Sequence, residues 1–204
     1  DIGCGGGFLA EEFAGLGCKV TGLDPAADLL EAARAHARSR GLTIDYVHGS
    51  GEQLPFEDVA FDLVYCCDVL EHVSDLDKVI AETARVVKPG GYYFYDTINR
   101  TPQSRLVMIK MLQDWPLTRL LPPDVHVWDM FIKPEELSAA MARHGLENRD
   151  TVGLSPAAGP IKSVSSFLQF RLGMLNYAQL GDRIRSRASS DTKISYMGWA
   201  QRRA

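Results

Sequence analysis

Apolar and polar positions along this chain follow two rhythms that take turns. Residues 8–17 set Phe8, Leu9, Phe13 and Leu16 at helical spacing, with Gly17 suited to end the helix. Residues 19–24 predict a short strand closed by Asp24. Residues 28–40 predict a strong helix whose apolar positions are Leu29, Leu30, Ala33 and Ala37, ended by Gly41. A strand is expected at 44–48 and a loop at 49–56, which carries Pro55. A strand follows at 61–66, where the near-continuous apolar run suits burial on both faces of a parallel sheet. Residues 75–87 predict a helix that stops at Lys88-Pro89-Gly90-Gly91, and 92–98 another strand.

Strands and helices therefore alternate through residue 98, the pattern of a doubly wound α/β fold with a parallel sheet. The rhythm then breaks. Residues 102–125 are apolar on more than one side, with Leu117, Leu120 and Leu121 extending the run between prolines. A helix is expected at 133–144, a strand at 146–153, a helix at 167–180 and a last strand at 194–199. The expected architecture is a mostly parallel, seven-stranded sheet with a helical or lid segment inserted after the fifth strand. A strand should lead into Asp1, so the chain is read as starting at the carboxyl end of its first strand. It is read as a single domain, 1–204: a cofactor-binding half at 1–98, a substrate lid or membrane-contact insertion at 99–134, and completion of the sheet at 135–204.

Composition narrows the classes. At 204 residues, 46% hydrophobic and 24% charged, the chain suits one ordinary globular domain. A net charge of −4 argues against a nucleic-acid surface. Cys4, Cys18, Cys66 and Cys67 form no C-x-x-C pair and are read as free thiols in a reducing compartment. No stretch approaches the ~20 apolar residues of a membrane span.

The chemistry concentrates at Asp1-Ile2-Gly3-Cys4-Gly5-Gly6-Gly7, an acid leading into a glycine-rich turn before a helix. Glycine lets such a turn take positive φ and bring bare backbone against a ligand. A dinucleotide fingerprint would need G-x-G-x-x-G, but glycines stand at 3, 5 and 7 and position 8 is Phe. Asp1 would repel a pyrophosphate and attract a cation. S-adenosylmethionine, with an ammonium and a sulfonium and no phosphate, fits better. Asp24, 23 residues on, suits the two ribose hydroxyls. Ser50, Gly51 and Glu52 are expected to flank the adenine. Cys67 and Asp68 are expected beneath the cofactor, with Cys67 meeting it through backbone.

These motifs (the opening turn with G-L-D, L-P-F, F-D-L-V, L-E-H-V and V-K-P-G-G) resemble class I S-adenosylmethionine-dependent methyltransferases across residues 1–98. The stretches 97–101, 120–126, 131–137 and 195–197 resemble the ubiquinone-biosynthesis O-methyltransferase family. That resemblance implies methylation of a phenolic hydroxyl on a polyprenylated catechol or hydroquinone, and attachment to a quinone-pathway membrane or biosynthetic complex. Its location would be cytoplasmic beside the inner membrane in a bacterium, or the matrix side of the mitochondrial inner membrane in a eukaryote. Another small-molecule O- or C-methyltransferase is the alternative reading, and a non-catalytic cofactor-binding scaffold is a third.

His126, where the family carries a histidine, is the candidate general base, against the plainer reading of a loop histidine satisfied by backbone. Asp68, Glu71 and His72, at i, i+3 and i+4, could face one side of a helical turn and ligate a divalent cation such as Mg2+. The competing reading has Glu71 and His72 orient the loop. Arg105, Lys110 and Arg119 interspersed with Trp115 make 102–125 either a peripheral membrane contact or a lid.

Overall fold

The computed structural model describes residues 1–116 and 118–204; Leu117, read with the apolar run, lies outside them. In chain order the elements are α1 (Phe8–Gly15), β1 (Thr21–Asp24), α2 (Ala27–Ser39), β2 (Asp45–His48), β3 (Phe61–Cys66), α3 (Leu76–Val86) and β4 (Val87–Ile98). Then come α4 (Pro102–Ser104), a π-helical stretch Arg105–Asp114, α5 (Pro134–Arg143), β5 (Leu146–Pro156), α6 (Pro160–Arg171), α7 (Tyr177–Ile184), β6 (Ser186–Ser189) and β7 (Ser195–Arg202). They form two compact units. The first comprises Asp1–Asp96, Glu135–Asp150 and Gly198–Ala204, the second Thr97–Pro134 and Thr151–Met197.

The sheet departs from the expected single, mostly parallel seven-stranded layer. β1 and β2 form a parallel pair, and β3-β4-β7-β5-β6 form a five-stranded sheet that is mixed, because β5 and β6 run antiparallel. Ile2 links the two in the first unit. It makes a parallel bridge to Leu23, and its N–H donates to the Tyr65 carbonyl of β3 at 2.9 Å. The backbone entering the glycine turn thus stands between β1 and β3.

Local chemistry explains most elements. Asp75 caps α3 by accepting the Lys78 N–H at 3.1 Å, and α3 buries Val79, Ile80, Ala84 and Val86. The expected stop at 88–91 falls inside β4. Leu63 pairs with Tyr92 while Phe61 pairs with Val87, so these four residues bulge between two registers. β3 buries only Val64, Tyr65 and Cys66; its first half is half-exposed or open, with Asp62 ion-paired to Lys88 at 2.8 Å.

The first helix corrects the expected apolar face. Phe8 and Leu16 are 70% and 81% exposed, and α1 buries Ala10 and Glu11 instead. It packs on Ala33 and Ala37 of α2, small side chains that leave room for a carboxylate. Leu29, expected inside, is also exposed. Fully buried Glu11 accepts hydrogen bonds from His36 Nδ1 at 2.7 Å and from Arg40 at 2.8 Å. Burial acts to raise its pKa, but the hydrogen bonds from Arg40 and His36 outweigh it and hold the carboxyl below the usual range. A depressed carboxylate stabilises the fold above its unfolded pKa, and that stability is lost as pH falls through the folded value. Glu11→Gln is therefore expected to lower the melting temperature at pH 7. The deficit should shrink as pH drops below ~4, as thermal denaturation across a pH series will read.

In the second unit, the 97–101 stretch is tied down by side chains. Asn99 donates its side-chain N–H to the Thr192 carbonyl at 2.9 Å, and Thr101 caps α4 by accepting the Ser104 N–H at 3.0 Å. The Trp128 indole donates to the Thr101 carbonyl at 3.2 Å, and Arg105 stacks over the Trp128 ring. Tyr196 donates its hydroxyl to the Ile132 carbonyl at 3.0 Å. The single helix expected at 167–180 is two. Gly173, at φ +72°, breaks it, and Asn176 starts α7 by accepting the Gln179 N–H at 2.9 Å. Among the described residues no helix is long and apolar enough to cross a membrane.

Candidate cofactor-binding site

The glycine turn lies where β1, β3 and α1 meet in the first unit. Gly3 and Cys4 both donate to the Leu23 carbonyl, at 2.7 and 3.0 Å, and Leu23 donates back to Asp1 at 2.8 Å. Gly3 takes φ +73°, and a Cβ there would run into the Val69 side chain. Gly5 takes φ +48° and faces open space, a place where a ligand can reach bare backbone.

Asp24, at the end of β1 and buried, fixes the turn. Its two carboxylate oxygens accept from Gly5 N–H and Ala26 N–H, both at 2.8 Å. Each oxygen keeps lone-pair capacity, so the carboxylate braces the turn and can still receive two hydroxyl donors. Asp1 Oδ2 is buried and has no hydrogen-bond partner among the described residues. A buried carboxylate oxygen without a donor suits a cationic group such as an ammonium. The opening beside Gly5 and the waiting Asp1 oxygen thus fit S-adenosylmethionine. Cys4 contributes only backbone. Its thiol packs with Ala10, Val20 and Tyr46, and burial pushes its pKa up to about 11.

The other expected residues take related places. Gly51 lies against Ile2, where a Cβ would come within 3.0 Å of that side chain. Ser50 donates its hydroxyl to Glu52. The other Glu52 oxygen accepts the Ser74 N–H at 2.9 Å, so Glu52 clasps the lead into α3. The Ser50 hydroxyl is the main cause holding the Glu52 carboxyl below its ordinary range. Leu54 is buried; Glu82 accepts its N–H at 2.8 Å, and Arg85 donates to the carbonyls of Leu54 and Phe56 at 3.0 and 2.7 Å.

Asp68, Glu71 and His72 do not share a helical face. Asp68 is exposed at φ +55°, outside the single 3-10 turn Leu70–His72. Glu71 is buried and His72 exposed, yet the two offer ligand atoms within 4.8 Å of each other. Oxygen and imidazole donors so close suit one divalent cation. His126 lies in the second unit. Gln113 grips its backbone from both sides, accepting its N–H at 2.8 Å and donating to its carbonyl at 3.1 Å, and its ring meets Phe131 edge-on.

One residue escaped the reading of the sequence. Asp96, near the carboxyl end of β4, accepts the Asp68 N–H at 2.8 Å and neighbours the Cys67 thiol. Burial, with the Asp68 charge second, raises its carboxyl to about 6. Burial likewise drives the Cys67 thiol upward. The rule that singled out Asp1 and Asp24, an acid ending a strand, applies equally to Asp96.

A family model for a methyltransferase domain matches residues 1–95. The ubiquinone biosynthesis O-methyltransferase of Bordetella bronchiseptica is 41% identical over 167 residues, covering 81% of this chain and 68% of that protein. Its namesake from Brucella anthropi is 38% identical over 183 residues, covering 90% and 71%. The namesake from a Methylobacterium is 41% identical over 157 residues, 76% of this chain, and the match spans 61% of the length of that relative. Among solved structures, an S-adenosylmethionine-dependent methyltransferase from Methanosarcina mazei is 21% identical with a TM-score of 0.68, covering all of this chain and 91% of its own. The cyclase SpnF is 19% identical with a TM-score of 0.64, covering all of this chain and 73% of its own. Those two likenesses establish the α/β fold alone, and a cyclase among them shows that the fold does not choose the reaction. Sequence identity does what the fold cannot: this chain belongs to the ubiquinone biosynthesis O-methyltransferase family.

Proposed function

We propose that the protein transfers a methyl group from S-adenosylmethionine to a phenolic hydroxyl of a polyprenylated catechol or hydroquinone in ubiquinone biosynthesis. The observation that carries this is the Asp24 carboxylate fixed on Gly5 N–H, which brings the ribose acceptor and the glycine turn to one place. The names of the relatives support the ring chemistry.

S-adenosylmethionine supplies an activated methyl group. The chain's task is to place the accepting oxygen in line and to take its proton. In this reading Asp1 receives the cofactor ammonium, Asp24 the ribose hydroxyls, and Gly3 to Gly5 the amino-acid portion through backbone. Ser50, Gly51 and Glu52 border the adenine, and Cys67 lies under the cofactor. His126 accepts the phenolic proton. Glu71 and His72 would hold a divalent cation, which when bound supplies positive charge to a phenolate oxygen, while Asp68 stands outside their turn.

The reading is tested by rates with methyl-labelled cofactor and three acceptors: a short-chain prenylated catechol, the same ring without its chain, and a ring with both oxygens blocked. Transfer is expected to the first, more slowly to the second, and not to the third. Equal transfer to the third would put the label on carbon and overturn O-methylation. His126→Ala is expected to lower kcat by about 10²-fold or more while leaving cofactor Kd within about twofold. A parallel loss of cofactor binding would remove His126 from the proton-accepting role. Exhaustive chelation should lower turnover and added Mg2+ should restore it, with cofactor affinity unchanged; undiminished turnover in chelator would discard the cation.

A further inference from the structure

Aspartate is depleted in β-strands, yet β4 carries Asp96 between buried Tyr95 and Thr97. The side chain is half-buried and faces the charges of Asp68 and Glu71, both of which oppose its ionisation. A carboxylate held among other acids gains nothing from packing. What it gains is a hydrogen bond. Asp96 Oδ1 accepts the Asp68 N–H at 2.8 Å, and the same carboxylate neighbours the Cys67 thiol.

Asp68 has use for that bond. Its φ of +55° lies in the left-handed region, where a Cβ crowds the backbone and glycine alone is at ease. The side chain of Asp68 is exposed, so packing does not hold it there. A backbone in this region persists where its surroundings over-determine it. At Asp68 the restraint comes from β4, through the carboxylate of Asp96.

The corner at Asp68 sets the place of the next residue, and Val69 touches both halves of the site. Its side chain stands against Gly3, where an added Cβ would meet it. Its carbonyl accepts the His72 N–H at 2.8 Å and so opens the turn that carries Glu71 and His72. If Asp68 relaxed to negative φ, the chain would leave the corner in another direction and Val69 would swing away from Gly3. The glycine turn would then lose the wall on which it rests.

We infer that Asp96 is a positioning residue: by holding the Asp68 N–H it keeps the corner left-handed, and so keeps Val69 against the glycine turn that receives the cofactor. The inference rests on the reading that this turn binds S-adenosylmethionine, and on nothing about the acceptor. It is tested by a double-mutant cycle on cofactor affinity, measured by calorimetry, because glycine at position 68 needs no clamp to take positive φ. Asp96→Ala is expected to weaken S-adenosylmethionine binding about tenfold in the wild-type background and less than about threefold in the Asp68→Gly background. Asp96→Asn, whose amide oxygen can still accept the N–H, should stay within about threefold of wild type. Equal losses in the two backgrounds, or an Asn variant as weak as Ala, would overturn the inference. So would an Asp96→Ala protein that melts lower yet binds the cofactor as wild type does, since Asp96 would then serve the fold alone. Amide exchange of the wild-type protein gives a second reading without a variant. The Asp68 N–H should exchange at least about tenfold more slowly than a free amide, although its side chain is exposed, and exchange at the free rate would remove the clamp. A protein that shows the expected cycle but transfers no methyl group to a phenol would sink the proposed reaction and leave the role of Asp96 standing.

Discussion

Asp24→Ala is expected to cost the protein about a hundredfold in affinity for S-adenosylmethionine, measured by calorimetry. The carboxylate has two tasks. It holds the N–H groups of Gly5 and Ala26, and it presents its remaining lone pairs to two ribose hydroxyls. A hydrogen bond to a charged group contributes roughly 1.5–3 kcal/mol, and about 2.8 kcal/mol corresponds to a hundredfold in Kd. Alanine removes both tasks. The Asp24→Asn variant keeps one oxygen acceptor and should lose only about tenfold. Melting curves of both variants will separate turn disorder from lost ligand contacts, because a weakened turn lowers stability without ligand. An Asp24→Ala protein with wild-type cofactor affinity would remove Asp24 from the ribose.

Gly3→Ala is expected to destabilise the fold by about 2–5 kcal/mol. A left-handed backbone costs a residue with a Cβ about 1–2 kcal/mol, and overpacking adds about 1–3 kcal/mol. Both apply at Gly3, where φ is +73° and the added Cβ would meet the Val69 side chain. The steric part should be recoverable. Combining Gly3→Ala with Val69→Ala opens the space, so denaturant unfolding of the double variant should recover more than additivity allows while the backbone cost remains. Strict additivity would mean that the turn relaxes away from Val69. The coupling also matters for function. Val69 follows Asp68 directly and precedes the turn of Glu71 and His72, so a shift at Gly3 is passed to the loop that the proposed reaction uses.

The cofactor half could be read from the sequence because each of its signals is local. Periodicity separates α2 and α3 from the strands, glycine marks the turn, and an acid at the end of β1 falls where the sheet must deliver it. What escaped depended on contacts between elements. Glu11 looked like a solvent residue on an amphipathic helix. It is buried because the facing alanines of α2 leave a gap and because His36 and Arg40 reach into it. In α6 the serines Ser163 and Ser166 are buried while Val164 and Leu168 are exposed, for the same kind of reason: helical spacing alone does not say which side of a helix meets the core. The seven-stranded sheet was misjudged because Ile2 contributes only a bridge between β1 and β3, which divides the strands into a pair and a group of five. Asp96 was readable and was missed, since it sits in a strand that otherwise attracts attention for its aromatic residues.

The most direct test is amide hydrogen exchange of the intact protein with and without S-adenosylmethionine. The account predicts that added cofactor slows exchange at Gly3 to Gly7 and from Asp24 into the first turn of α2, with lesser protection around Ser50 to Glu52. Cofactor binding that leaves the glycine turn and Asp24 unchanged and protects another surface would contradict it.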